Sequence, residues 1–470
     1  FNTSLGASSM GVGVTTGDYN VALGYAAGNA ITSGQRNILI GGNAGDALTT
    51  GESNVAIGHG ALSAEDTTGS TTAIGYKALN LQNAAAESYN VAVGFEAGKA
   101  VTTGIKNTLI GSEAGVALTV GNYNTVLGYG ALNASVDGDY NTAIGFQALL
   151  AYEDGDGDGH NTAVGASSQT SATTGQFNTS LGSLSMGSGV TTGDGNTVLG
   201  YSAGLAITSG AENVLIGSNA GDALTTGYFN VGIGHEALST EDGHGYNVAV
   251  GHHALRVQNA GADAYNVAVG YSAGVAITTG IKNTIIGGLA GDALTEGSSN
   301  VAIGYGAMSS ANGTESRNIA IGQFALFQLN DNGNNYNTAV GYAAGENITT
   351  GIKNTLLGGL AGDALTTGEG NVTVGQSALS STTVGSDNVA LGKEALTANV
   401  NGSASIAIGS LALQDQAPTG TGNIYNVAIG HHAGKEITTG VENIIVGGLA
   451  GDALTTGSYN VAIGKSALST

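Results

Sequence analysis

The feature that most constrains the fold is a short repeat that runs along the whole chain. The segment NTLLGGLAGDALTTG at residues 354–368 has close copies that begin at Asn37, Asn283 and Asn443. Alignment on the asparagine before each VAIG-like run gives about 27 copies, most of them about 17 residues apart and the rest longer by roughly one to four residues. We number each coil from this anchor asparagine, which is position 0. A repeat of this length is too short for a helical hairpin and indicates one coil of a β-solenoid.

Three further positions define the repeat. Position +3 is Ile, Val or Leu, position +4 is Gly, and position +7 is Ala or Ser, while only Thr71 and Ser405 replace the anchor asparagine. A short alternating apolar run that ends at Gly predicts one strand and one turn in each coil. We therefore predict an all-β, parallel β-solenoid (β-roll) of about 27 coils, stacked about 4.8 Å apart with a ladder of anchor amides. Residues 1–470 should form a single continuous array with no separate globular domain.

Two kinds of coil alternate along this array. Where position +8 is Gly, position +11 is large and apolar, as in Gly345 with Ile348; where +8 is Leu or Met, +11 is usually small or polar, as in Leu379 with Thr382. Close packing explains this exchange if both positions fill one interior slot. The longer spacings follow coils of the second kind, which gives a superrepeat of about 70 residues with outward loops.

Composition and charge exclude several classes of function. The 470 residues include 82 glycines and no cysteine, and the net charge is −23. The absence of cysteine excludes a disulfide framework. Clustered Lys and Arg, which phosphate contacts need, are missing, so we expect no nucleic-acid partner. No apolar run reaches the length of a membrane span, so we expect no membrane insertion by this segment.

The sequence motifs of the repeat resemble those of known fibrous proteins. NVAIGYGAM and NTAIGFQAL resemble the SVAIG-type repeats in the head of YadA-like trimeric autotransporter adhesins. They resemble even more the NTAIGYxAL repeats in tail-fibre-like proteins of phages and bacteria. The resemblance covers nearly the whole chain. It implies a left-handed parallel β-roll, three chains side by side, and a location on the surface of a virion or a cell.

The most site-like segment is EDGDGDGHN at residues 153–161. Asp154, Asp156 and Asp158 imitate the start of a DxDxDG calcium loop, because a hard cation needs several converging carboxylate oxygens. The pattern then requires Glu at position 12, and Gly165 stands there. Residues 153–160 are therefore a candidate Ca²⁺ loop, with a solvated acidic bulge as the alternative.

Histidines and aromatic residues form columns along the repeat. The histidines fall mainly at +5 and +6, and include the adjacent pairs His252–His253 and His431–His432. Neighbouring side chains on an extended backbone point apart, so we expect these pairs to chelate a metal poorly. Aromatic residues recur at −1 and +5, where stacked rings would stabilise the solenoid edge or, alternatively, form a glycan-binding face.

The strand alternation suggests how chains assemble. If +3 faces the interior, the alanines that are frequent at +2 face outward, at Ala22, Ala56, Ala92, Ala143 and Ala302. Such a column suits the axis of a homotrimer. The inserted loops, at residues 65–70, 151–160, 327–336 and 414–424, would then lie outside and could contact a cell-surface glycan or receptor.

These features predict a non-enzymatic, extracellular structural fibre: the shaft and recognition surface of a virion tail fibre or cell-surface appendage. One alternative is the head of a trimeric-autotransporter-like adhesin. A second is an ice-binding solenoid, because AITTG and ALTTG place threonine pairs in rows. A third is a polysaccharide-degrading spike, which would need a pair of catalytic carboxylates in a coil that breaks the pattern; the acidic segment at residues 153–160 is the only candidate for such a pair.

Overall fold

The structure is a computed structural model that describes residues 1–11, 14–153, 158–311 and 313–469. Within these ranges the chain forms 27 β-strands of three residues each and no α-helix. The described part of the chain thus offers no helix that is long and apolar enough to cross a membrane. Each strand occupies positions +1 to +3 of a coil, as the apolar run before Gly predicts.

The strands are numbered β1 to β27 in chain order, with the following bounds: Thr3–Leu5, Val21–Leu23, Ile38–Ile40, Val55–Ile57, Thr72–Ile74, Val91–Val93, Thr108–Ile110, Thr125–Leu127, Thr142–Ile144, Thr162–Val164, Thr179–Leu181, Thr197–Leu199, Val214–Ile216, Val231–Ile233, Val248–Val250, Val267–Val269, Thr284–Ile286, Val301–Ile303, Ile319–Ile321, Thr338–Val340, Thr355–Leu357, Val372–Val374, Val389–Leu391, Ile406–Ile408, Val427–Ile429, Ile444–Val446 and Val461–Ile463.

The chain divides into two compact units, Phe1–Gly232 and Ile233–Thr470. In the first unit β1 to β13 pair successively and in parallel. In the second unit β15 to β27 do the same. Equivalent repeat positions stand over one another, as in the pairing of Ala22 with Leu39. The prediction of an all-β, parallel β-solenoid with one strand per coil of about 17 residues is confirmed.

The side chains of each strand face the opposite way from the orientation predicted. Position +2 faces the interior, and positions +1 and +3 face outward. The outward alanine column is therefore wrong: the buried residues at +2 include Ala22, Ala56, Ala92, Ala143 and Ala302. The predicted alternation of inward and outward side chains was correct, but a coil this narrow leaves little space on the interior side of the strand. The small residue occupies that room, and the β-branched residues stand on the outer surface.

The invariant glycine at +4 is required by the close approach of successive coils. Gly145 has φ +137°, a conformation that side chains with a Cβ rarely adopt. A Cβ added there would lie 2.4 Å from the carbonyl oxygen of Gly165, the equivalent residue of the next coil. The turn after each strand therefore depends on glycine for both conformation and space.

The shared interior slot is confirmed for coils such as those of Ile348 and Leu379, whereas the coil of Asn318 is an exception, with both Leu326 at +8 and Leu329 at +11 fully buried. Ile348 and Leu379 are both fully buried, although one stands at +11 and the other at +8. A Cβ added to Gly345 would lie 3.0 Å from Cδ1 of Ile348 and 3.1 Å from Cδ2 of Leu326, the +8 residue of the preceding coil. Side chains from +8 and +11 therefore occupy one column in successive coils.

A third position also contributes to this column. The Cβ added to Gly345 would lie only 2.7 Å from Cδ1 of Leu356, at +2 of the next coil. Glycine at +8 occurs in consecutive pairs of coils, and the second coil of each pair carries a large residue at +2: Leu39, Leu109, Leu215, Ile285, Leu356 and Ile445. Paired glycines thus make room for both the +11 residue and an enlarged +2 residue.

The predicted amide ladder is confirmed and runs through the buried side of the coils. The Oδ1 atom of Asn20 accepts hydrogen bonds from both the backbone N–H and the Nδ2 of Asn37, each at 3.0 Å. Nδ2 of Asn37 also donates to the carbonyl of Gly51 in its own coil, at 2.9 Å. Each anchor therefore closes its own coil and joins it to the preceding one.

Candidate functional site

The structure describes only part of the predicted calcium loop at residues 153–160. Asp154 and Asp156 lie outside the described residues, so their part in a metal site remains a prediction. Asp158 is exposed, and its Oδ2 lies 3.7 Å from Nε2 of His160. Its backbone forms a parallel bridge with Asp139 of the preceding coil. Asp158 is therefore accessible to a cation at the edge of the solenoid.

An aliphatic face runs along each unit, and we define it as positions +1 and +3 of the coils of that unit. Position +1 is Thr, Val or Ile and position +3 is Ile, Val or Leu in every coil. Leu127 and Leu199 at +3 are 45% and 41% exposed. Other large members that are exposed to a similar degree are Leu23, Ile38, Leu181, Ile286, Ile319, Val372, Val374, Ile429 and Ile444.

Two aromatic columns border this aliphatic face in sequence, at −1 and +5. At −1, Tyr123, Tyr140, His160 and Phe177 stack in succession, with ring centroids 4.8, 4.9 and 5.3 Å apart. These distances match the spacing of the coils, so stacking follows from the repeat. The rings stay exposed, Tyr140 at 44% and Phe177 at 57%. The predicted stacking is present, and the outer sides of the rings remain available for contacts.

Three histidines of the second unit converge, whereas adjacent histidines on an extended backbone were predicted to point apart. His235 and His252 stand at +5 of successive coils and stack with centroids 5.1 Å apart. His253, at +6, has φ +60°, so the backbone turns and brings its ring centroid within 3.7 Å of that of His252. Possible metal-binding atoms of these three residues all lie within 4.8 Å of one another. The assumption of an extended backbone was therefore wrong at these two positions.

A carboxylate joins this histidine cluster. Oε2 of Glu236 lies 3.1 Å from Nε2 of His253, and its Oε1 lies 3.9 Å from Nε2 of His235. Arg256 contacts the same carboxylate at 3.6 Å. Burial and the neighbouring His252 imidazole lower the pKa of His253 below its usual value of 6.5, although Glu236 acts in the opposite direction. His253 is thus favoured in its neutral form.

A second group of possible ligands consists of Glu241, Asp242 and His244. Glu241 is fully buried at +11, and its Oε1 accepts a hydrogen bond from the backbone N–H of His244 at +14. Burial raises the pKa of Glu241 above its usual value of 4.5, whereas the hydrogen bond from His244 lowers it. A raised carboxyl pKa is one mark of a catalytic acid.

The same contact elsewhere in the chain argues for a structural role of Glu241. Glu65 and Asn399, also at +11, accept hydrogen bonds from the +14 N–H groups of their own coils, at 3.0 and 2.9 Å. A polar +11 side chain therefore closes the turn in several coils that have Leu at +8. The prediction that segment 65–70 lies outside the solenoid is wrong at position +11, where Glu65 is fully buried.

Buried glutamines repair the amide ladder where the anchor asparagine is missing. In the coil of Thr71, Nε2 of Gln82 donates to Oγ1 of Thr71 at 3.1 Å, and its Oε1 accepts from Nδ2 of Asn90 at 2.9 Å. In the coil of Ser405, Gln416 makes the equivalent bonds to Ser405 and to Asn426. Gln258 at +11 makes the same pair of bonds to Asn247 and Asn266 in a coil that keeps its anchor, so a buried glutamine at +11 indicates this bridge whether or not the anchor is asparagine.

An open groove of about 600 Å³ lies beside the inserted segment 327–336. It combines one aromatic side chain with amides and hydroxyls, and its lining residues are Ser310, Phe327, Gln328, Asn330, Thr349 and Thr350. An aromatic ring among hydrogen-bonding groups is a surface suited to a sugar ring.

No protein-family model matches the chain, and no curated protein matches its sequence significantly.

Proposed function

We propose that this chain is a non-enzymatic, extracellular structural fibre that forms the shaft and recognition surface of a virion tail fibre or cell-surface appendage. The observation that carries the proposal is the exposed aliphatic face. In the second unit, thirteen strands at about 4.8 Å each and a width of about 10 Å give a strip of about 600 Å². That equals or exceeds the largest apolar patch on a typical monomer, which indicates a surface that is covered in the assembled state.

The covering partner in this proposal is the same chain, arranged as a homotrimer. The aliphatic face repeats with the coil, so identical chains can bury it along its whole length in register. The net charge of −23 works against side-by-side association, and therefore favours contact through a strip that carries almost no charge. The aliphatic face replaces the alanine column as the surface that would line the trimer axis.

Recognition is assigned to the inserted segments. In segment 414–424, residues 417 and 419–423 are exposed, while Gln416 anchors the segment from inside the coil. Segment 327–336 borders the groove that contains Phe327. Variable loops held on a rigid scaffold are suited to binding a cell-surface glycan or receptor. The head of a trimeric adhesin would use the same architecture on a cell rather than on a virion.

Ice binding is less well supported. The first threonine of the ALTTG-type words stands at +12 and uses its hydroxyl internally. The hydroxyls of Thr49, Thr119 and Thr366 donate to the carbonyl at +12 of the next coil, at 2.8, 2.9 and 3.0 Å. Donors engaged within the solenoid are not available to order water. A polysaccharide-degrading role is weakened because the contact of Glu241 recurs at Glu65 and Asn399, where it closes a turn.

Immunolabelling of the intact particles or cells that carry the chain tests this function. An antibody against the exposed segment 414–424 should decorate a filament outside the intact surface. As a control, an antibody against a protein from the interior of the same particle or cell should label only after lysis. If segment 414–424 becomes accessible only after lysis, the extracellular fibre is wrong.

A further inference from the structure

We propose that His235, His252 and His253, together with Glu236, form a binding site for a borderline divalent transition metal ion of the Zn²⁺ class. This inference rests on the side-chain cluster and is independent of the proposed fibre function. Three imidazoles and one carboxylate are a donor set that suits tetrahedral Zn²⁺. Hard cations such as Ca²⁺ prefer oxygen ligands and would not select this cluster.

The repeat itself builds the cluster. Parallel stacking in register places His235 and His252 at +5, one coil apart, and likewise places Glu236 and His253 at +6. Both +6 residues have positive φ, 53° for Glu236 and 60° for His253, so each +6 side chain turns back towards the +5 column. The four groups therefore come from two coils of a rigid scaffold, which limits the entropy lost when they bind an ion.

The distances are close to those of a metal centre. Nitrogens bound at about 2.0–2.1 Å to a tetrahedral Zn²⁺ lie about 3.3 Å apart. The ligand atoms of the three histidines are within 4.8 Å of one another. Because the side chains of His235 and His253 are 48% and 23% exposed, small side-chain rotations can bring the atoms together, and the ion can enter from solvent.

The surrounding residues support the carboxylate as a ligand or as a hydrogen-bond partner of a ligand. Glu236 already contacts the imidazoles of His253 and His235, at 3.1 and 3.9 Å. A carboxylate in this position either completes the coordination or orients the imidazole that binds the ion. Arg256, at 3.6 Å from Glu236, partly balances its charge and holds the carboxylate in place.

The chain contains a matched internal control. His431 and His432 occupy the same +5 and +6 positions of another coil, and their rings stack with centroids 4.0 Å apart. The preceding coil has Ser410 and Leu411 at these positions, so the third imidazole and the carboxylate are missing there. If three histidines and Glu236 are needed, this pair should bind Zn²⁺ far more weakly.

The test is calorimetric titration of the untagged full-length chain with Zn²⁺ in a buffer that does not chelate metals. Wild type should bind one high-affinity Zn²⁺ per chain. His235→Ala or His252→Ala should weaken binding at least about tenfold, and the double variant His431→Ala/His432→Ala should leave it unchanged. Far-ultraviolet circular dichroism and the oligomeric mass confirm that the exposed substitutions leave the fold intact.

Cobalt substitution and calcium titration distinguish a tetrahedral site with histidine ligands from a calcium site. Co²⁺ bound to wild type should give the visible absorption of a tetrahedral ion, and His235→Ala should abolish it. Ca²⁺ should not displace Zn²⁺, even if it binds the acidic segment at residues 153–160. Absence of tight Zn²⁺ binding by wild type would overturn the proposal. Loss of the site in the His431→Ala/His432→Ala variant instead of in His235→Ala would overturn it as well.

Discussion

The shared interior slot makes a sharp prediction about paired substitutions. Leu379 fills the slot from +8, Thr382 stands at +11 in the same coil, and both are fully buried. The inward +2 residues of this coil and the next are small, Thr373 and Ala390, so no enlarged +2 side chain competes for the space. The double substitution Leu379→Gly/Thr382→Ile should move the filling side chain from +8 to +11, as in the coil of Gly345 and Ile348.

The energies follow from packing. Leu379→Gly alone empties the slot and should cost about 2–5 kcal/mol, less about 1 kcal/mol because glycine relieves the positive φ of 57°. Thr382→Ile alone should overfill the slot, at a cost of about 1–3 kcal/mol, and removes the hydrogen bond from Thr382 Oγ1 to the carbonyl of Asn399. The double variant should lose only about 1–2 kcal/mol, so the coupling energy, taken from the middle of each range, should be about 3 kcal/mol.

Native-state hydrogen exchange is the suitable assay, because a repeat array opens locally rather than all at once. The free energies of opening should be measured at the amides of Val372–Val374 and Val389–Leu391. A matched control pairs Leu379→Gly with Thr383→Ile, since Thr383 is adjacent at +12 and lies outside the slot. The control pair should be additive within about 0.5 kcal/mol. Additive costs in the Leu379→Gly/Thr382→Ile pair would refute the shared slot.

Three further predictions concern burial, the turn and the aliphatic face. Because the pKa of Glu241 is raised above 4.5 in the folded state, lowering the pH from neutral towards 4.5 should raise the free energy of opening of that coil, taken from exchange rates divided by the intrinsic rate at each pH. Glu241→Gln should flatten this dependence, and an unchanged dependence would contradict it. Gly145→Ala should cost about 3 kcal/mol or more in local opening, whereas Gly130→Ala, where φ is +60° but the added Cβ meets nothing closer than 3.7 Å, should cost only about 1–2 kcal/mol; equal costs would exclude the coil contact. Leu127→Lys should reduce the assembly mass by light scattering, whereas Thr103→Lys on another exposed surface should not; equal effects would remove the aliphatic face from the interface.

Much of the fold was predictable because the repeat reports the same structural requirement many times. The strand, the amide ladder and the exchange between Gly345 with Ile348 and Leu379 with Thr382 each follow from a periodic pattern. The orientation of the strand's side chains was not predictable from alternation alone. Alternation does not show whether position +2 or positions +1 and +3 face the interior. The hydrophobicity of the residues at +3 favoured that position for the interior. The narrow coil instead accepts the side chain at +2, which is Ala in most coils.

The candidate site was less predictable, because it depends on backbone conformation rather than on residue type. His252 and His253 point apart on an extended strand but come together on a backbone with φ +60° at His253. His235 joins them only when the coils are stacked in register. The signal in the sequence was a histidine at the same +5 position in two successive coils.

The most direct test of the proposed fibre is the mass of the native assembly, measured by sedimentation equilibrium of the full-length chain at physiological salt. Burial of the aliphatic face around a common axis predicts a particle of three chains of 45.8 kDa each, with no dissociation at micromolar concentration. A stable, soluble particle of one 45.8 kDa chain would leave the aliphatic face exposed and would contradict the proposed assembly.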